Sequence, residues 1–222
     1  MKNTVKAILC SNKIASMLIN PVLQVHNLSY YLAGLMSQSL EPYGLHPKHR
    51  IMDYHLWFSS RLKPDWTILD VGCGNGALAR DLIKHCKHII AIDIDPCKIK
   101  EAKDLNTEKN IEFIVGDATA YPFEKKFDAV VLSNVLEHIK DRIRFLRDLS
   151  QYSDIFLIRV PMIDRDWITL YKQERDIPYL LDSDHYIEYT FDSFSKEVNT
   201  AGLKITENRV RYGELYAVCI RS

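Results

Sequence analysis

The chain has 222 residues and equal numbers of basic and acidic side chains, 29 of each, so its formal net charge is zero. This length suits one α/β core domain with an added helical cap and is short for two independent domains. A neutral charge without a run of basic residues disfavours nucleic acid as a partner.

The cysteines and the N-terminus bear on the cellular setting. Five cysteines, an odd number, are scattered without a Cys-x-x-Cys pair, which argues against a disulfide framework and against a thiolate zinc site. We therefore expect a reducing, cytoplasmic setting. The first apolar run is interrupted at residues 11–13 and followed by Asn20 and Pro21, so it resembles neither a signal peptide nor a membrane span. We expect no membrane partner.

The N-terminal residues 1–62 are expected to form a helical arm and cap, ahead of a core domain at 63–222. We interpret residues 1–20 as a peripheral helix or a partly ordered arm. Apolar residues at three-to-four spacing predict an amphipathic helix whose face covers the sheet or a substrate mouth, and these residues are Val22, Val25, Leu28, Leu32, Leu35 and Met36. Glu41 to Gly44 should end this helix, and Pro47 should begin a second one that runs to about Leu62.

The stretch from Thr67 to Ala77 is a buried strand that runs into a glycine-dense turn. Gly72, Gly74 and Gly76 occupy alternate positions, where they permit positive φ and let a ligand approach bare backbone amides. A helix should follow from Leu78 to Cys86. The pattern indicates a nucleotide-type binding turn at the carboxyl end of a strand.

Two kinds of nucleotide fit this turn. Gly72-x-Gly74-x-x-Ala77 agrees with a permissive dinucleotide fingerprint, so an NAD site remains an alternative. Asp70 stands two residues before the first glycine, where a carboxylate would repel a pyrophosphate and attract a cation. With its acid-x-Gly-x-Gly-x-Gly pattern the turn resembles the first motif of class I S-adenosylmethionine-dependent methyltransferases.

That resemblance implies a fold, a cofactor and a first set of binding residues. The fold is a doubly wound, mostly parallel seven-stranded α/β sheet of the Rossmann-like methyltransferase type, and the cofactor is S-adenosyl-L-methionine. The cofactor-binding residues in this first motif are Asp70, Gly72, Cys73, Gly74 and Gly76.

A second strand, residues 89–92, ends at an acidic tip. Asp93 is placed to accept hydrogen bonds from both ribose hydroxyls, and Ile94 is placed to pack on the adenine. Asp95 should cap the helix that begins at Pro96 and runs to about Leu105.

A third strand, residues 111–115, leads into Gly116, Asp117 and Ala118. In the methyltransferase family an acid here binds the adenine exocyclic amine, and the next backbone amide meets a ring nitrogen. The resemblance therefore implies these roles for Asp117 and Ala118. An Asx turn after the strand is the alternative.

The fourth strand, residues 127–132, is followed by Ser-Asn-Val-Leu-Glu-His at 133–138. This segment resembles the Val-Leu-Glu-His element of small-molecule O-methyltransferases, including those of ubiquinone biosynthesis. Some of those enzymes have a further Glu three residues before the Glu-His pair and hold a divalent cation with it. Here that position is Asn134, which we assign to the cofactor site, and we assign no metal ligand. Asn-Pro-Pro-aromatic, expected of enzymes that methylate DNA bases, is absent.

Candidate catalytic residues follow from the expected reaction. If the acceptor is a hydroxyl, a base near the methyl group is useful, and we assign this role to His138 first and His185 second. The alternative is that His138 only orients its neighbours. The ubiquinone-type relatives also imply that Arg50 pairs with the methionine carboxylate, with a solvated arginine as the alternative.

The remaining chain should complete the sheet. We expect a helix at 139–149, a fifth strand at 155–158, a helix at 190–201 and terminal strands at about 204–209 and 215–220. Residues 161–187 are too long for an ordinary connection. We interpret them as a substrate-covering insertion, with an interaction surface as the alternative.

Asp70, Asp93 and Asp117 recur at intervals of 23 and 24 residues, one strand-plus-helix unit each, so a parallel sheet should deliver them to one edge. Together they favour an S-adenosylmethionine-dependent methyltransferase with a small-molecule acceptor, oxygen being the preferred acceptor atom. The alternatives are an NAD-dependent oxidoreductase, a non-catalytic S-adenosylmethionine-binding module, and methylation of protein or RNA. The oligomeric state is left open.

Overall fold

The computed structural model describes residues 11–41 and 46–222. Residues 1–10 of the arm predicted at 1–20, and the predicted break at Pro42–Gly44, lie outside the described residues, whereas residues 12–20 are helical. Eight helices and seven strands are defined in the described part of the chain. The helices are α1 (Asn12–Leu40), α2 (Lys48–Met52), α3 (Tyr54–Ser59), α4 (Ala77–Leu82), α5 (Pro96–Leu105), α6 (Arg142–Leu149), α7 (Trp167–Glu174) and α8 (Phe191–Thr200).

The strands form one seven-stranded sheet in the order β3-β2-β1-β4-β5-β7-β6. Strands β1 to β5 are parallel, and β7 runs antiparallel to both β5 and β6. Their bounds are β1 (Thr67–Val71), β2 (His88–Asp93), β3 (Ile111–Val115), β4 (Ala129–Ser133), β5 (Ile155–Pro161), β6 (Leu203–Arg211) and β7 (Glu214–Arg221). The predicted fold class, a mostly parallel seven-stranded sheet of the Rossmann-like methyltransferase type, is confirmed.

Both faces of β1, β2, β4 and β5 are buried, which explains their nearly unbroken apolar sequences, whereas the edge strand β3 exposes Glu112 and Val115. On one face Val130 and Leu132 of β4 pack in a cluster that also contains Phe145 of α6 and Phe194 of α8. On the other face the alternate β4 residues, among them Val131, belong to a cluster with residues of α3, α4 and α5. Helices on both faces leave the carboxyl ends of the strands as the edge available for a site.

The order of the strands locates a crevice on that edge. Strands β1 and β4 lie side by side, yet β2 and β3 extend the sheet from β1 in one direction while β5 extends it from β4 in the other. Ligands of doubly wound sheets bind outside the carboxyl ends of strands at such a switch point. The segments that follow Val71 and Ser133 are therefore where the chemistry is expected.

Local signals account for the helices that flank this edge. Asp95 caps α5, as predicted, by accepting hydrogen bonds from the amides of Cys97 and Lys98, and Pro96 occupies the first helical turn. Thr190 and Ser193 form a reciprocal capping box at the start of α8.

The N-terminal helices differ from the prediction in two ways. The prediction of a single helix from Pro47 to Leu62 is wrong. Asp53 adopts a left-handed conformation, φ 51°, and separates α2 from α3. Aspartate tolerates this region better than most residues, and the helical spacing of the apolar residues does not reveal it. The six apolar residues predicted to cover the sheet from α1 are all exposed, Leu32 the least at 45% and Met36 the most at 67%.

The chain divides into two compact units. One consists of Met52–Arg165 with Asp182–Ser222 and contains the whole sheet. The other combines the residues up to Ile51 with Asp166–Leu181. Within this second unit Arg175 donates a hydrogen bond to Asn20 of α1 at 2.6 Å, and the Lys172 ammonium lies 3.0 Å from the His26 ring. The predicted boundary at residue 62 and the substrate-covering role of 161–187 stay predictions.

None of the helices in the described ranges has both the length and the apolarity that a membrane crossing demands. The four described cysteines are all free thiols, three of them buried.

Candidate functional site

The glycine turn connects β1 to α4 at the switch point. Gly72, Gly74 and Gly76 all have positive φ, at 66°, 54° and 73°. A Cβ at Gly76 would lie 2.7 Å from the Phe113 ring, so only glycine fits there. Beside Gly74 there is no atom within 4 Å of a built Cβ. The turn is thus closely packed at Gly76 and open at Gly74, where a ligand can approach the backbone.

The backbone amides of this turn are not bare, which corrects the sequence interpretation. Gly72 and Cys73 donate to the carbonyl oxygen of Ile92, at 2.8 and 3.2 Å, and Gly76 donates to the Cys73 carbonyl at 2.9 Å. The Gly74 amide donates to Asp93 Oδ2 at 2.7 Å. These amides fix the turn to the end of β2, so a ligand would meet a rigid backbone surface rather than a row of free donors.

Asp93 fastens the ends of three strands together. Its Oδ2 accepts from Gly74 after β1, and its Oδ1 accepts from the Asp95 amide at 2.9 Å. Its carbonyl oxygen accepts from the Gly116 amide after β3 at 2.9 Å. Each carboxylate oxygen keeps a second lone pair, so Asp93 retains the capacity to accept two ribose hydroxyls. The neighbouring Ile94 is 69% exposed and offers an apolar surface at the same edge.

Asp70 is the buried acid of the site. It is 1% exposed on β1, and its Oδ2 has no hydrogen-bond partner among the described residues. Burial, with the nearby charge of Asp93 as the smaller cause, raises the pKa of Asp70 to about 7. Burial likewise raises the pKa of the Cys73 thiol, which stays neutral. An ammonium or sulfonium group near Asp70 would stabilise its ionised form.

Asp117 and Ala118 follow β3 at the same edge. Asp117 Oδ1 accepts hydrogen bonds from the Thr119 amide at 2.9 Å and the Thr119 hydroxyl at 2.7 Å. The predicted Asx-type turn is therefore present, and it orients the exposed carboxyl so that the second oxygen is available to a donor such as an adenine amine. Both functions are compatible.

The segment after β4 contains the remaining predicted side chains. Asn134 adopts a left-handed conformation, φ 56°, while its amide donates to the Arg159 carbonyl at 2.9 Å. Its Oδ1 is buried without a described partner. A short 3₁₀ turn, Leu136–His138, follows and presents Glu137 and His138. Such backbone strain beside a sheet edge is typical of functional sites.

The structure brings His185 to this turn from a distant part of the chain. The Tyr186 amide donates to the Glu137 carbonyl at 2.7 Å, and the rings of His138 and His185 lie 4.7 Å apart, edge to face. One donor atom each of Glu137, His138 and His185 lies within 4.8 Å of the other two. The two predicted catalytic histidines are therefore neighbours, and a carboxylate is beside them.

The Glu137 carboxyl has no side-chain hydrogen-bond partner among the described residues. It is fully buried. Burial is the main cause that raises the pKa of Glu137 to about 8. Sequence analysis noted this residue as part of a motif but did not assign it a role.

A carboxylate lies beside one ring nitrogen of each histidine, and it is hydrogen-bonded in the case of His185. His138 Nδ1 lies 3.2 Å from Asp184 Oδ2, and His185 Nδ1 lies 3.1 Å from Glu188 Oε1. Burial lowers the pKa of His185, but the hydrogen bond with Glu188 and the surrounding acids outweigh burial, so the pKa is raised. Glu188 is also held by Arg165. Sequence analysis missed Glu188 and Asp184, whose only signal is their spacing from His185.

Arg50 is placed in the other compact unit. Its guanidinium is 69% exposed and pairs with Glu41 at 2.6 Å. This pair accounts for the charge of Arg50, and the described contacts give no separate support for its predicted role with a ligand carboxylate.

A cavity of about 310 Å³ lies within the sheet unit, beside α3 and the β6–β7 hairpin. Two of its lining groups, Trp57 Nε1 and the Tyr216 hydroxyl, are buried without described partners. Three arginines also line it, Arg61, Arg209 and Arg211. The volume of the cavity lies at the lower end of the range of small-molecule pockets, and its arginines supply positive charge.

Comparison with known proteins identifies the domain type. Residues 69–152 match a family model described as "Methyltransferase domain". The chain is 33% identical over 95 residues to malonyl-[acyl-carrier protein] O-methyltransferase 1 of Ilyobacter polytropus, a match that covers 41% of this chain and 35% of that protein. It is 36% identical over 88 residues to "Probable ribosomal RNA small subunit methyltransferase A" of Methanosarcina mazei, covering 39% and 32%.

The fold agrees with a solved methyltransferase structure. The chain superimposes on magnesium protoporphyrin IX methyltransferase from Synechocystis with bound SAH, with a TM-score of 0.61 and 17% identity over 79% of this chain and 83% of that one. By contrast, the chain spans about a third of the length of the two curated relatives that it matches. The family model spans the glycine turn and the chain through β4 to α6, and the matched relatives differ in the acceptors that they name.

Proposed function

We propose that this chain, whose residues 69–152 match a methyltransferase domain, is a class I enzyme that transfers a methyl group from S-adenosylmethionine to a small-molecule acceptor, with oxygen as the favoured acceptor atom. The observation that carries the proposal is the arrangement after β1, β2 and β3. Asp93 accepts from the amide of Gly74 and its carbonyl accepts from the amide of Gly116, so the strand ends that carry Asp70, Asp93 and Asp117 are hydrogen-bonded together.

The residues present fit the donor that this fold implies. The open side of Gly74 admits a ligand against the backbone. Asp93 would accept hydrogen bonds from the ribose hydroxyls, and Ile94 would pack on the adenine. Asp117 would accept a hydrogen bond from the adenine amine, and the Ala118 amide would donate one to a ring nitrogen. Cys73, Gly72 and Gly76 shape the turn, and Asn134 would close the site from β4. Arg50 is the weakest member of this proposed set, because Glu41 already neutralises it.

Asp70 provides the charge complementarity. A buried carboxyl with an unpartnered oxygen is costly unless a cation or donor satisfies it. The amino-acid end of S-adenosylmethionine carries an ammonium group, and its sulfonium supplies the electrophilic methyl group when it is bound. An NAD pyrophosphate would instead place negative charge near Asp70 and Asp93, which disfavours the oxidoreductase alternative.

The histidine pair would act on the acceptor. Methyl transfer is an in-line displacement, so the protein mainly has to align the acceptor and keep water out. His138 and His185 stand at the carboxyl end of β4, each with one ring nitrogen near a carboxylate. That carboxylate favours a tautomer whose other nitrogen can take a proton from an acceptor hydroxyl.

A small acceptor is supported by charge and by shape. The neutral chain has no basic run that would track phosphates, and the cavity at Trp57 and Tyr216 has the volume of a small organic molecule. The arginines that line it favour an acceptor with an acidic group. Relatives named for acyl-carrier protein and ribosomal RNA make macromolecular acceptors the alternatives to test. A cytoplasmic setting stays part of the proposal.

Two measurements test this function. Titration with S-adenosylhomocysteine and, separately, NADH should show saturable one-site binding of the first and none of the second; the reverse result would favour an oxidoreductase. Size-fractionated cell extract, supplied with methyl-labelled S-adenosylmethionine and the protein, should then yield label in the small-molecule fraction. Label only in protein or RNA would exclude the small acceptor, and cofactor binding without any label would favour a non-catalytic binding module.

A further inference from the structure

Glu137, His138 and His185 have the composition of a metal centre. Two imidazoles and one carboxylate form the ligand set of several catalytic zinc sites and of non-haem iron sites, both of which keep coordination positions open. Their donor atoms lie within 4.8 Å of one another. Two ligand atoms bound at about 2.1 Å to one ion are at most about 4.2 Å apart, so side-chain movements of less than about 1 Å would complete the site.

Glu137 supplies an independent observation that points to a cation. Its side chain is fully buried, and both carboxylate oxygens have no partner among the described residues. Buried carboxylates in proteins are normally hydrogen-bonded, paired with a cation, or bound to a metal ion. No arginine or lysine ion pair of Glu137 is found in the described part of the chain. A divalent ion would satisfy this carboxylate.

The histidines have the orienting partners that metal ligands have. In metal centres a coordinating histidine donates its other ring N–H to a carboxylate, which fixes the tautomer and strengthens the ligand. Asp184 stands 3.2 Å from His138 Nδ1, and Glu188 stands 3.1 Å from His185 Nδ1. Each Nε2 is left as the coordinating atom. The exposed Asp182 has an oxygen 3.6 Å from His185 Nε2. It would either compete with the ion for this nitrogen or bind the ion as an additional oxygen ligand.

We propose that Glu137, His138 and His185 bind one divalent transition-metal ion, with Zn²⁺ or Fe²⁺ as the chemical class. Imidazole nitrogens favour these ions over Mg²⁺ and Ca²⁺, which prefer oxygen ligands. The site differs from one that uses residue 134 as a third ligand, because here that ligand is His185, from a segment 47 residues after His138. The proposal does not depend on methyl transfer. A bound ion would occupy the histidine nitrogens, so the general-base role proposed above applies to the protein without the ion.

The test is metal binding by the full-length protein in the absence of any methyl donor. After dialysis against chelator, Co²⁺ and Zn²⁺ are titrated and followed by cobalt visible absorption and by calorimetry. We expect one ion per chain, with nitrogen and oxygen ligands and no thiolate-to-cobalt charge-transfer band, and no comparable binding of Mg²⁺. Binding that gives the thiolate band, or no stoichiometric binding, would overturn the site.

Variants locate the ion. His185→Ala and Glu137→Gln should each weaken Co²⁺ binding by at least about tenfold, and Asp184→Asn, which alters only an orienting partner, should weaken it less. His55→Ala is the matched control, because His55 is another histidine paired with a carboxylate, at 2.7 Å from Asp81. The His55→Ala protein should bind Co²⁺ with the affinity of the unmodified protein. Equal affinity in the Glu137→Gln and His55→Ala proteins would contradict the proposal.

The same samples separate this proposal from the proposed function. S-adenosylhomocysteine binding is measured beside the cobalt titration. Retained S-adenosylhomocysteine binding with no metal binding would reject the ion and leave the methyltransferase assignment standing. Metal binding without S-adenosylhomocysteine binding would support the ion and reject the methyltransferase assignment. Circular dichroism of each variant establishes that a lost affinity is not a lost fold.

Discussion

Two halves of the sheet edge hold their carboxylates in contrasting ways. At the ends of β1 to β3, Asp93 has both oxygens bonded to backbone amides and so fixes the glycine turn. At the end of β4, Glu137 is fully buried, whereas Asp93 is only partly buried, and neither Glu137 oxygen is bonded to a described residue. In the first half a carboxylate fixes the backbone and only Asp70 Oδ2 is buried without a described partner, while in the second half both oxygens of Glu137 lack one.

This contrast suggests a division of labour. The glycine turn is already held by Asp93 before a ligand arrives, so little backbone reorganisation is required on binding, and in the first half only Asp70 keeps a buried oxygen without a described partner. In the second half, Glu137 and Asn134 have buried side-chain oxygens without described partners, beside two histidines. Such unsatisfied polar groups are common in active sites. Variants in the first half should therefore change the affinity for the donor, and variants in the second half should change turnover.

The largest expected effect is the loss of turnover when a residue of the second half, at the end of β4, is replaced. His138→Ala should lower kcat by about 10² to 10⁴ with the acceptor that the fractionation identifies, because a positioned base or ion ligand is lost. Its affinity for S-adenosylhomocysteine should stay within about twofold of the unmodified protein. Steady-state kinetics with His55→Ala as the control measures this. Unchanged kcat in His138→Ala would remove the histidine from the reaction.

A smaller but clear effect is expected on affinity in the first half. Asp93→Ala should weaken S-adenosylhomocysteine binding by about a hundredfold, since hydrogen bonds from two ribose hydroxyls to a charged group are lost. Calorimetry measures the change, and circular dichroism monitors the glycine turn and the sheet. If affinity stays the same while the fold is intact, the ribose is not bound at Asp93.

The raised pKa of Asp70 predicts how the affinity for S-adenosylhomocysteine depends on pH. Burial raises this pKa to about 7, so in the free protein the carboxyl becomes neutral as the pH falls below 7. An ammonium ligand requires the ionised form, and the affinity for S-adenosylhomocysteine should therefore fall about eightfold from pH 7.5 to pH 6. Asp70→Asn should bind more weakly with a flat profile over this range. A steep profile in Asp70→Asn would assign the titration to another group.

The smallest effect is structural. Asp95 Oδ1 accepts from the Cys97 amide at 2.8 Å and caps α5 without any proposed ligand contact. Asp95→Ala should lower the free energy of unfolding by about 1 kcal/mol. Urea denaturation measures this loss. The kcat and the S-adenosylhomocysteine affinity should remain close to those of the unmodified protein; a large drop in affinity would mean that Asp95, not Asp93 alone, contacts the donor.

The two halves also differ in how far the sequence predicts them. Asp70, Asp93 and Asp117 each stand at or just beyond the end of an apolar strand, so strand periodicity and parallel topology are enough to bring them to one edge. The contact between His185 and Glu137 depends on the path of a long connection, which no local pattern encodes. The spacing of Glu188 from His185 becomes informative only once that contact is known.

Backbone detail was similarly beyond the local signals. The left-handed residue Asp53, which divides the predicted second helix, leaves the apolar periodicity on both sides intact. The apolar spacing of α1 predicts the helix correctly, yet all six residues of its predicted face are exposed, because periodicity specifies a face and not what covers it.

A crystal structure of the protein soaked with S-adenosylhomocysteine tests the central claim most directly. We predict adenosine density across the ends of β1 to β3, with the ribose hydroxyls on Asp93, the adenine amine near Asp117 and the amino group towards Asp70. An empty edge at saturating ligand, or ligand bound elsewhere with these three carboxyls untouched, would contradict the account.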